Sequence, residues 1–268
     1  MKKKILALCS IAILLYACKD EDMITQNDPS STQATQDHLF SEQVFNDIGR
    51  IVKEGFLESG ASKSCASYNL INNNSLDIDT LIINFGTTNC LQNGKLRKGK
   101  VVSTYSGKYR DSLAVITSTF DNYYINNNLI QGERVVTNQG RDSVGNMGFT
   151  IAVNNASIVT SNGIINWSSN RTKKWVNGQN TSNTSDDRYK ITGSANGIGV
   201  NNNSFSTEIT DALNMDLDCL PSCVIKSGTA KISPNGYADR IINYGDSLCD
   251  CNFDITINGT NYPIELIN

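Results

Sequence analysis

The chain has 268 residues, with 23 basic and 26 acidic side chains, a formal net charge of −3 and a single histidine. This balance lacks the basic stripe that a nucleic-acid or anionic-membrane surface would select, so no nucleic-acid partner is expected. One histidine excludes a histidine-based zinc site, no Gly-x-Gly-x-x-Gly or Gly-Lys-Ser/Thr phosphate loop occurs, and neither a cofactor nor a metal is expected.

In chain order, Lys2, Lys3 and Lys4 precede an apolar run from Ile5 to Tyr16. A run of about a dozen residues is too short to span a bilayer, which takes roughly 20 helical residues. Basic residues before a short apolar run predict a secretory signal over residues 1–17. Leu15-Tyr16-Ala17-Cys18 resembles the bacterial lipobox. That resemblance implies cleavage before Cys18, diacylglycerol on its sulfur and fatty acylation (palmitate-like) of the new amino terminus. Each buried methylene contributes ~0.8 kcal/mol, so two or three chains anchor stably. Lys19-Asp20-Glu21-Asp22 resembles the acidic export signal of Bacteroidota surface lipoproteins, which implies an outer-membrane protein facing out of the cell. A solvated acidic linker is the plainer reading of the same residues. Loss of residues 1–17 would leave 20 basic and 26 acidic side chains, a charge of −6. Residues 18–36 are rich in Asp, Ser, Thr, Gln and Asn without apolar periodicity, and predict a lipidated disordered tether.

A single β-rich domain is expected over 37–268. Its first element is a helix over about 38–57: Phe40, Val44, Ile48, Val52 and Phe56 make one stripe, widened by Leu39, Phe45 and Ile51. Asp37 or Ser41 is the expected N-cap. His38, beside the tether, is expected to be an exposed helix-start residue and a poor catalytic base.

Everything after Ser64 reads as strands and turns. Thr80 to Phe85 alternates, with Leu81, Ile83 and Phe85 on one face, and Ile242 and Tyr244 occupy equivalent places later. Gly99–Tyr109, Ala114–Ile125 and Ile130–Thr137 are rich in β-branched and aromatic residues. Hairpin turns are expected at Asn154-Asn155, Asn162-Gly163, Asn177-Gly178, Asn235-Gly236 and Asn258-Gly259, and Asn clusters at 72–74, 126–128 and 201–203 also read as turns. The last hairpin, Phe253–Leu266, places Phe253, Ile255 and Ile257 inward on one arm and Tyr262, Ile264 and Leu266 on the other. Pro263, which lacks an amide hydrogen, suits an edge. Sequential hairpins without crossovers predict a mainly β fold: a large curved antiparallel meander of roughly ten to twelve strands, part-barrel or sandwich, with the helix against its concave face.

Six cysteines remain after Cys9 and Cys18: Cys65, Cys90, Cys219, Cys223, Cys249 and Cys251. Residues 64–90 and 222–249 form an internal repeat: Ser64-Cys65, Ile82 to Gly86 and Cys90 match Ser222-Cys223, Ile241 to Gly245 and Cys249. The repeat predicts Cys65–Cys90, Cys223–Cys249 and a nested Cys219–Cys251. The main rival pairs Cys219 with Cys249 and Cys223 with Cys251. An exported chain forms disulfides. A zinc site of four thiolates is the competing reading.

The segments Ile82–Cys90, Arg97–Val102, Phe120–Tyr124 and Tyr244–Asp250 resemble a group of uncharacterised Bacteroidota outer-membrane lipoproteins, a resemblance that brings no activity with it. Four tripeptides, Asp79-Thr80-Leu81, Asp111-Ser112-Leu113, Asp142-Ser143-Val144 and Asp246-Ser247-Leu248, resemble the Bacteroidota O-glycosylation acceptor. They imply glycan on at least one of Thr80, Ser112, Ser143 or Ser247, while Asp-Ser also simply marks turns. Asp77 with Asp79, Asp216 with Asp218 and Asp246 with Asp250 are the carboxylate pairs that calcium binding or glycoside chemistry would use. Trp167, Trp175, Tyr105, Tyr109, Tyr123, Tyr124 and Tyr189 would either line a sugar-binding face or pack the sheet. The expected function is a non-catalytic binding or structural role, with a membrane held through the lipid and a glycan or protein ligand at the cell surface. The alternative is a periplasmic carrier of an acyl chain, which requires an apolar cavity under Phe40, Val44, Ile48 and Val52.

Overall fold

The structure is a computed structural model that describes residues 31–57, 62–63, 65–71, 79–220, 223–250 and 253–264. One helix, α1 (Gln33–Leu57), precedes fifteen strands: β1 (Ser62–Lys63), β2 (Ala66–Ile71), β3 (Asp79–Asn84), β4 (Cys90–Gln92), β5 (Lys95–Tyr105), β6 (Val115–Ile125), β7 (Asn128–Arg141), β8 (Met147–Thr160), β9 (Gly163–Asn177), β10 (Arg188–Ile198), β11 (Ser204–Asp216), β12 (Ile225–Pro234), β13 (Arg240–Asp246), β14 (Phe253–Ile257) and β15 (Thr260–Ile264). A short 3-10 helix, Leu217–Cys219, follows β11. Every strand pairs antiparallel with its neighbour in the chain, except that β4 folds onto β5 alone and β3 pairs directly with β5. The result is one meander with β1 and β15 at its ends, not closed into a barrel.

Alternation in the sequence sets the two faces of this sheet. On β9, Ile165, Trp167, Ser169, Arg171 and Trp175 are buried while Ile164, Asn166, Asn170, Thr172 and Lys174 are exposed. The inner row is the core, and α1 lies against it. A helix on a flat sheet buries one stripe. α1 buries Asp37, His38 and Leu39 in succession, and these point about 100° apart, so the sheet curves up around it. The helix crosses the strands diagonally. Its first turns meet Trp167 of β9 and Phe205 of β11, Phe45 meets Phe120 of β6, and Gly55 sits on Leu81 and Ile83 of β3. Gly55 is needed there, because a Cβ would come within 2.9 Å of both Ile83 Cδ1 and Leu81 Cδ2.

The expected helix stripe is buried as read, with Phe40 and Phe56 only partly so. The helix starts earlier than expected. Gln33 to Gln36, assigned to the tether by their polarity, are helical, and the Thr32 carbonyl accepts the first helical hydrogen bonds, from Thr35 and Gln36 N–H. Asp37 and Ser41 are therefore interior residues rather than caps, and the Ser41 hydroxyl donates back to the Asp37 carbonyl. Polarity hid the helix start, because Thr35 and Asp37 are buried there although polar, while Gln36 faces solvent as a tether residue would.

Leu81, Ile83 and Phe85 share the inner face, as do Ile242 and Tyr244. Asn126-Asn127 (φ 48° and 66°), Asn235-Gly236 and Asn258-Gly259 are hairpin turns. Asn154-Asn155 is not a turn: it lies inside β8 as a bulge, with Asn155 at φ 49° and the register with β9 slipping between Val153 and Ala156. Left-handed backbone of the kind Asn155 adopts occurs in bulges as well as in hairpin turns, so the dipeptide alone does not separate them. Asn177-Gly178 opens a longer connection that returns at Arg188. The strands number fifteen among the described residues rather than roughly ten to twelve, and two of the additional ones, β1 and β4, are too short to show a pattern. β15, with Pro263, is the edge strand, while the Asn cluster at 72–74 and the side chains of Ile264 and Leu266 lie outside the described residues.

Cys65 pairs with Cys90, as the repeat predicts. The second copy corrects the expectation: Cys249 pairs with Cys219, not with Cys223. The 3-10 turn after β11 carries Cys219 to a Cα separation of 5.1 Å from Cys249. Cys223 is disulfide-bonded as well, and Cys251 lies outside the described residues. Cysteines bound to one another cannot serve as zinc thiolates, so the metal reading of these cysteines fails.

Candidate functional site

The seam between α1 and the sheet holds most of the buried charge. Asp47 faces Arg97 of β5, whose guanidinium is fully buried and grips both carboxylate oxygens, Nη2 to Oδ1 at 3.0 Å and Nη1 to Oδ2 at 2.7 Å. The same guanidinium donates to the Tyr123 hydroxyl at 2.8 Å, and Arg50 reaches Asp47 from the solvent side at 2.6 Å. Burial opposes ionisation of Asp47, but the hydrogen bond and charge of Arg97 outweigh it and hold the carboxyl below its usual range. Burial works against the Arg97 charge too, and Asp47 and Tyr123 more than compensate.

One and a half turns earlier, Arg171 of β9 donates from Nε (3.0 Å) and Nη2 (2.6 Å) to one oxygen of Glu42. Burial would raise the Glu42 pKa, yet the Arg171 charge keeps the carboxyl ionised. His38 stands beside this pair and is fully buried, not the exposed helix-start residue its place next to the tether suggested. Trp167 Nε1–H donates to its Nδ1 at 3.3 Å, which leaves the ring proton on Nε2, 3.7 Å from Glu42. Burial lowers the His38 pKa to about 4, against the pull of Glu42, so the imidazole is neutral at physiological pH. It is packed between Trp167 and Phe205 and serves the core, not a nucleophile.

The third polar cluster is unlike the other two. Arg134 of β7 and Lys173 of β9 project from the inner face of the sheet, and each makes neither a hydrogen bond nor an ion pair. Lys173 Nζ lies 3.7 Å above the Tyr189 ring of β10, and the Arg134 guanidinium packs against Gly49 of α1. Tyr109, stacked on Phe149, and Lys53 of α1 complete the surroundings. Both cations are only partly accessible to solvent, and their charge is opposed by enclosure in a concave wall. Burial, then the neighbouring charges of Arg134 and Lys53, lowers the Lys173 pKa to about 7, and burial lowers that of Arg134 to about 10. Sequence reasoning missed this cluster. Its signal was Arg171 and Lys173 falling in register with Trp167 and Trp175, that is, charges on the apolar face of a strand.

The sequence-level candidates are scattered. Thr80 is half-buried on β3; Ser112, Ser143 and Ser247 are exposed in loops. Beside them Leu113, Val144 and Leu248 are 72%, 77% and 61% exposed, and Leu113 and Ser247 have positive φ (66° and 87°), which is uncommon for either residue type. Asp111 and Asp142 turn their loops by accepting backbone N–H bonds, from Lys108 and from Val144 and Asn146. Asp216 is held by Arg188 (2.8 Å) and Lys226 (3.1 Å), so it is not poised for calcium or glycoside chemistry. Trp167, Trp175, Tyr123 and Tyr189 are core residues; Tyr105 and Tyr109 are partly buried against that core, and Tyr124 carries Lys98 over its ring at 4.3 Å. Asp77, Cys18 and the acidic residues Asp20, Glu21 and Asp22 lie outside the described residues. No helix among the described residues is long and apolar enough to cross a membrane. Comparison with models of known protein families, with curated proteins and with solved structures finds no match.

Proposed function

We propose that this chain is a lipid-anchored outer-membrane lipoprotein, facing out of the cell, whose β-domain has a non-catalytic binding or structural role. The observation that carries this reading is the sequence Lys2 to Asp22: a short basic-apolar leader, Cys18 after Ala17, and an acidic patch directly after it. The start of α1 at Gln33 fits it. Fourteen residues, 19–32, separate the acylated cysteine from the helix, a reach of at most roughly 48 Å at ~3.4 Å per residue. The domain would therefore stand off the membrane on a short lead attached to its own central helix. The resemblance to Bacteroidota lipoproteins belongs to the same proposal. A non-catalytic role agrees with a buried neutral His38 and with Asp47, Glu42 and Asp216 each tied to an arginine.

The acyl-carrier alternative has less support. Val44, Ile48 and Val52, which would roof the lipid, are at most 5% exposed and belong to the packed core, so loading would require α1 to lift from the sheet.

Protease treatment of intact cells of the native host tests the proposal. Loss of the domain, with periplasmic markers intact, is the expected result. Protection of the domain would place it on the periplasmic leaflet and overturn the outward-facing assignment.

A further inference from the structure

Among the described residues, Arg134 and Lys173 are two cations on the inner face of the sheet, only partly accessible to solvent, that make neither a hydrogen bond nor an ion pair. Asp47 and Glu42 already hold Arg97 and Arg171. Arg134 and Lys173 come from different strands and converge under the second half of α1. A third cation, Lys53, is close enough to act on Lys173. The buried carboxylate of Asp187 acts on Lys173 through its charge but makes no ion pair with either cation, and it accepts from the Tyr189 hydroxyl at 3.2 Å. A Cβ on Gly49 would lie 2.7 Å from Arg134 Nη2, so glycine at this helix position makes the room that the guanidinium occupies. Glycine inside a helix costs about 1 kcal/mol relative to alanine, and an alanine here would displace the end of the Arg134 side chain from the place it now occupies. Gathering like charges in a concave, poorly solvated wall is unfavourable unless something neutralises them.

We propose that Arg134 and Lys173, with Lys53 at the rim, form a binding site for an oxyanion, the carboxylate or phosphate of a ligand. Arg134 presents a planar fork of N–H donors, suited to two oxygens at once, and Lys173 a compact ammonium. Tyr189, beneath Lys173, holds the ammonium over its ring face. Tyr109 and Tyr189, with phenols held neutral by burial, add no negative charge to the site. The inference deepens the binding role proposed above. Protease accessibility and anion binding are read separately, so either can fail while the other stands.

The test uses the full mature chain in neutral detergent, titrated with inorganic phosphate or glucuronate against sodium chloride at matched ionic strength. Two quantities are read: the unfolding midpoint, and acylation of each lysine by an amine-reactive reagent at neutral pH, followed by mass spectrometry. Without anion, Lys173 should label at least about tenfold faster than the exposed lysines, because a lowered pKa enriches the free amine. If the dissociation constant is about 1 mM, roughly 10 mM anion should raise the midpoint by about 3 °C or more and slow Lys173 labelling about tenfold, with other lysines unchanged. A larger response to phosphate assigns a phosphate ligand, and a larger response to glucuronate a carboxylate. Lys173→Gln and Arg134→Gln should each lose the shift, while Lys190→Gln, on the exposed face of β10, should keep it. Labelling protection is read in the unmodified chain, so the proposal stays testable even if a variant fails to fold. No shift beyond chloride and no protection of Lys173 would overturn it.

Discussion

Asp47→Asn is the most direct test of how the helix is held to the sheet. The substitution keeps the shape and one acceptor but removes the charge that Arg97 grips with both terminal nitrogens. Arg97 is 0% exposed, and its Nε already lacks a hydrogen-bond partner, so it has no route to water. Neutral partners alone, the Tyr123 hydroxyl, the Asn oxygen and the Phe85 ring, would then face an uncompensated buried cation. Breaking a buried pair from one side costs about 3–5 kcal/mol. At about 2–4 °C per kcal/mol for a domain of this size, the midpoint should fall by roughly 6–20 °C. Urea unfolding with the disulfides intact measures this directly. The double variant Asp47→Leu with Arg97→Met removes both charges and should recover most of the loss. The pH dependence follows the same pair. The Asp47 pKa is depressed on folding from its ordinary 3.8, so its contribution is complete above that value and is lost as pH falls through the lower folded one. Wild type and Asp47→Asn should therefore differ fully near neutrality and converge in acid below about pH 4. A loss under about 1 kcal/mol at pH 7, or a double variant as unstable as the two single changes added together, would refute the reasoning.

Two further predictions concern covalent chemistry. Non-reducing peptide mapping should recover Cys65 linked to Cys90 and Cys219 linked to Cys249. Replacing Cys219 and Cys249 together by serine opens a loop of 30 residues and should cost about 3–4 kcal/mol in urea unfolding, whereas recovery of a Cys223–Cys249 peptide would overturn the pairing. On the lipoprotein reading proposed above, the intact mass of the native mature protein should exceed that of the unglycosylated form by at least one glycan, lost on Thr80→Ala, Ser112→Ala, Ser143→Ala or Ser247→Ala. An unmodified mass would remove the glycosylation reading.

The periodic parts of this fold were legible because each buries one kind of face. Leu81, Ile83 and Phe85, or Phe253, Ile255 and Ile257, alternate so strictly that no other element fits them. The stripe on α1 is equally plain. What was not legible came from burial that breaks the apolar rule. Thr35, Asp37, His38 and Ser41 are buried polar residues that look like a tether and a cap, because sequence patterns equate polarity with exposure. Arg134 and Lys173 were passed over for the same reason. The swapped disulfide had another cause: the internal repeat correctly aligned two strand pairs, but Cys219 enters from a turn outside the repeated unit. Asn155 shows a limit of dipeptide signals, since left-handed backbone serves bulges as readily as hairpins.

The order in which strands pair has a consequence for how the chain acquires its structure. Each strand finds its partner next door in sequence, so the sheet can zip up by short loops. The helix is the opposite case. It is the first segment of the domain to be synthesised, yet His38 meets Phe205, and Arg240, in β13, donates to the carbonyl of Ser31 just ahead of the helix. Those partners lie more than 160 residues downstream. Until the last third of the chain has been synthesised, α1 has no complete cradle and its apolar stripe is uncovered. The first segment made is thus among the last to be enclosed, and during that interval the chain depends on whatever shields an unpaired amphipathic helix beside a growing sheet.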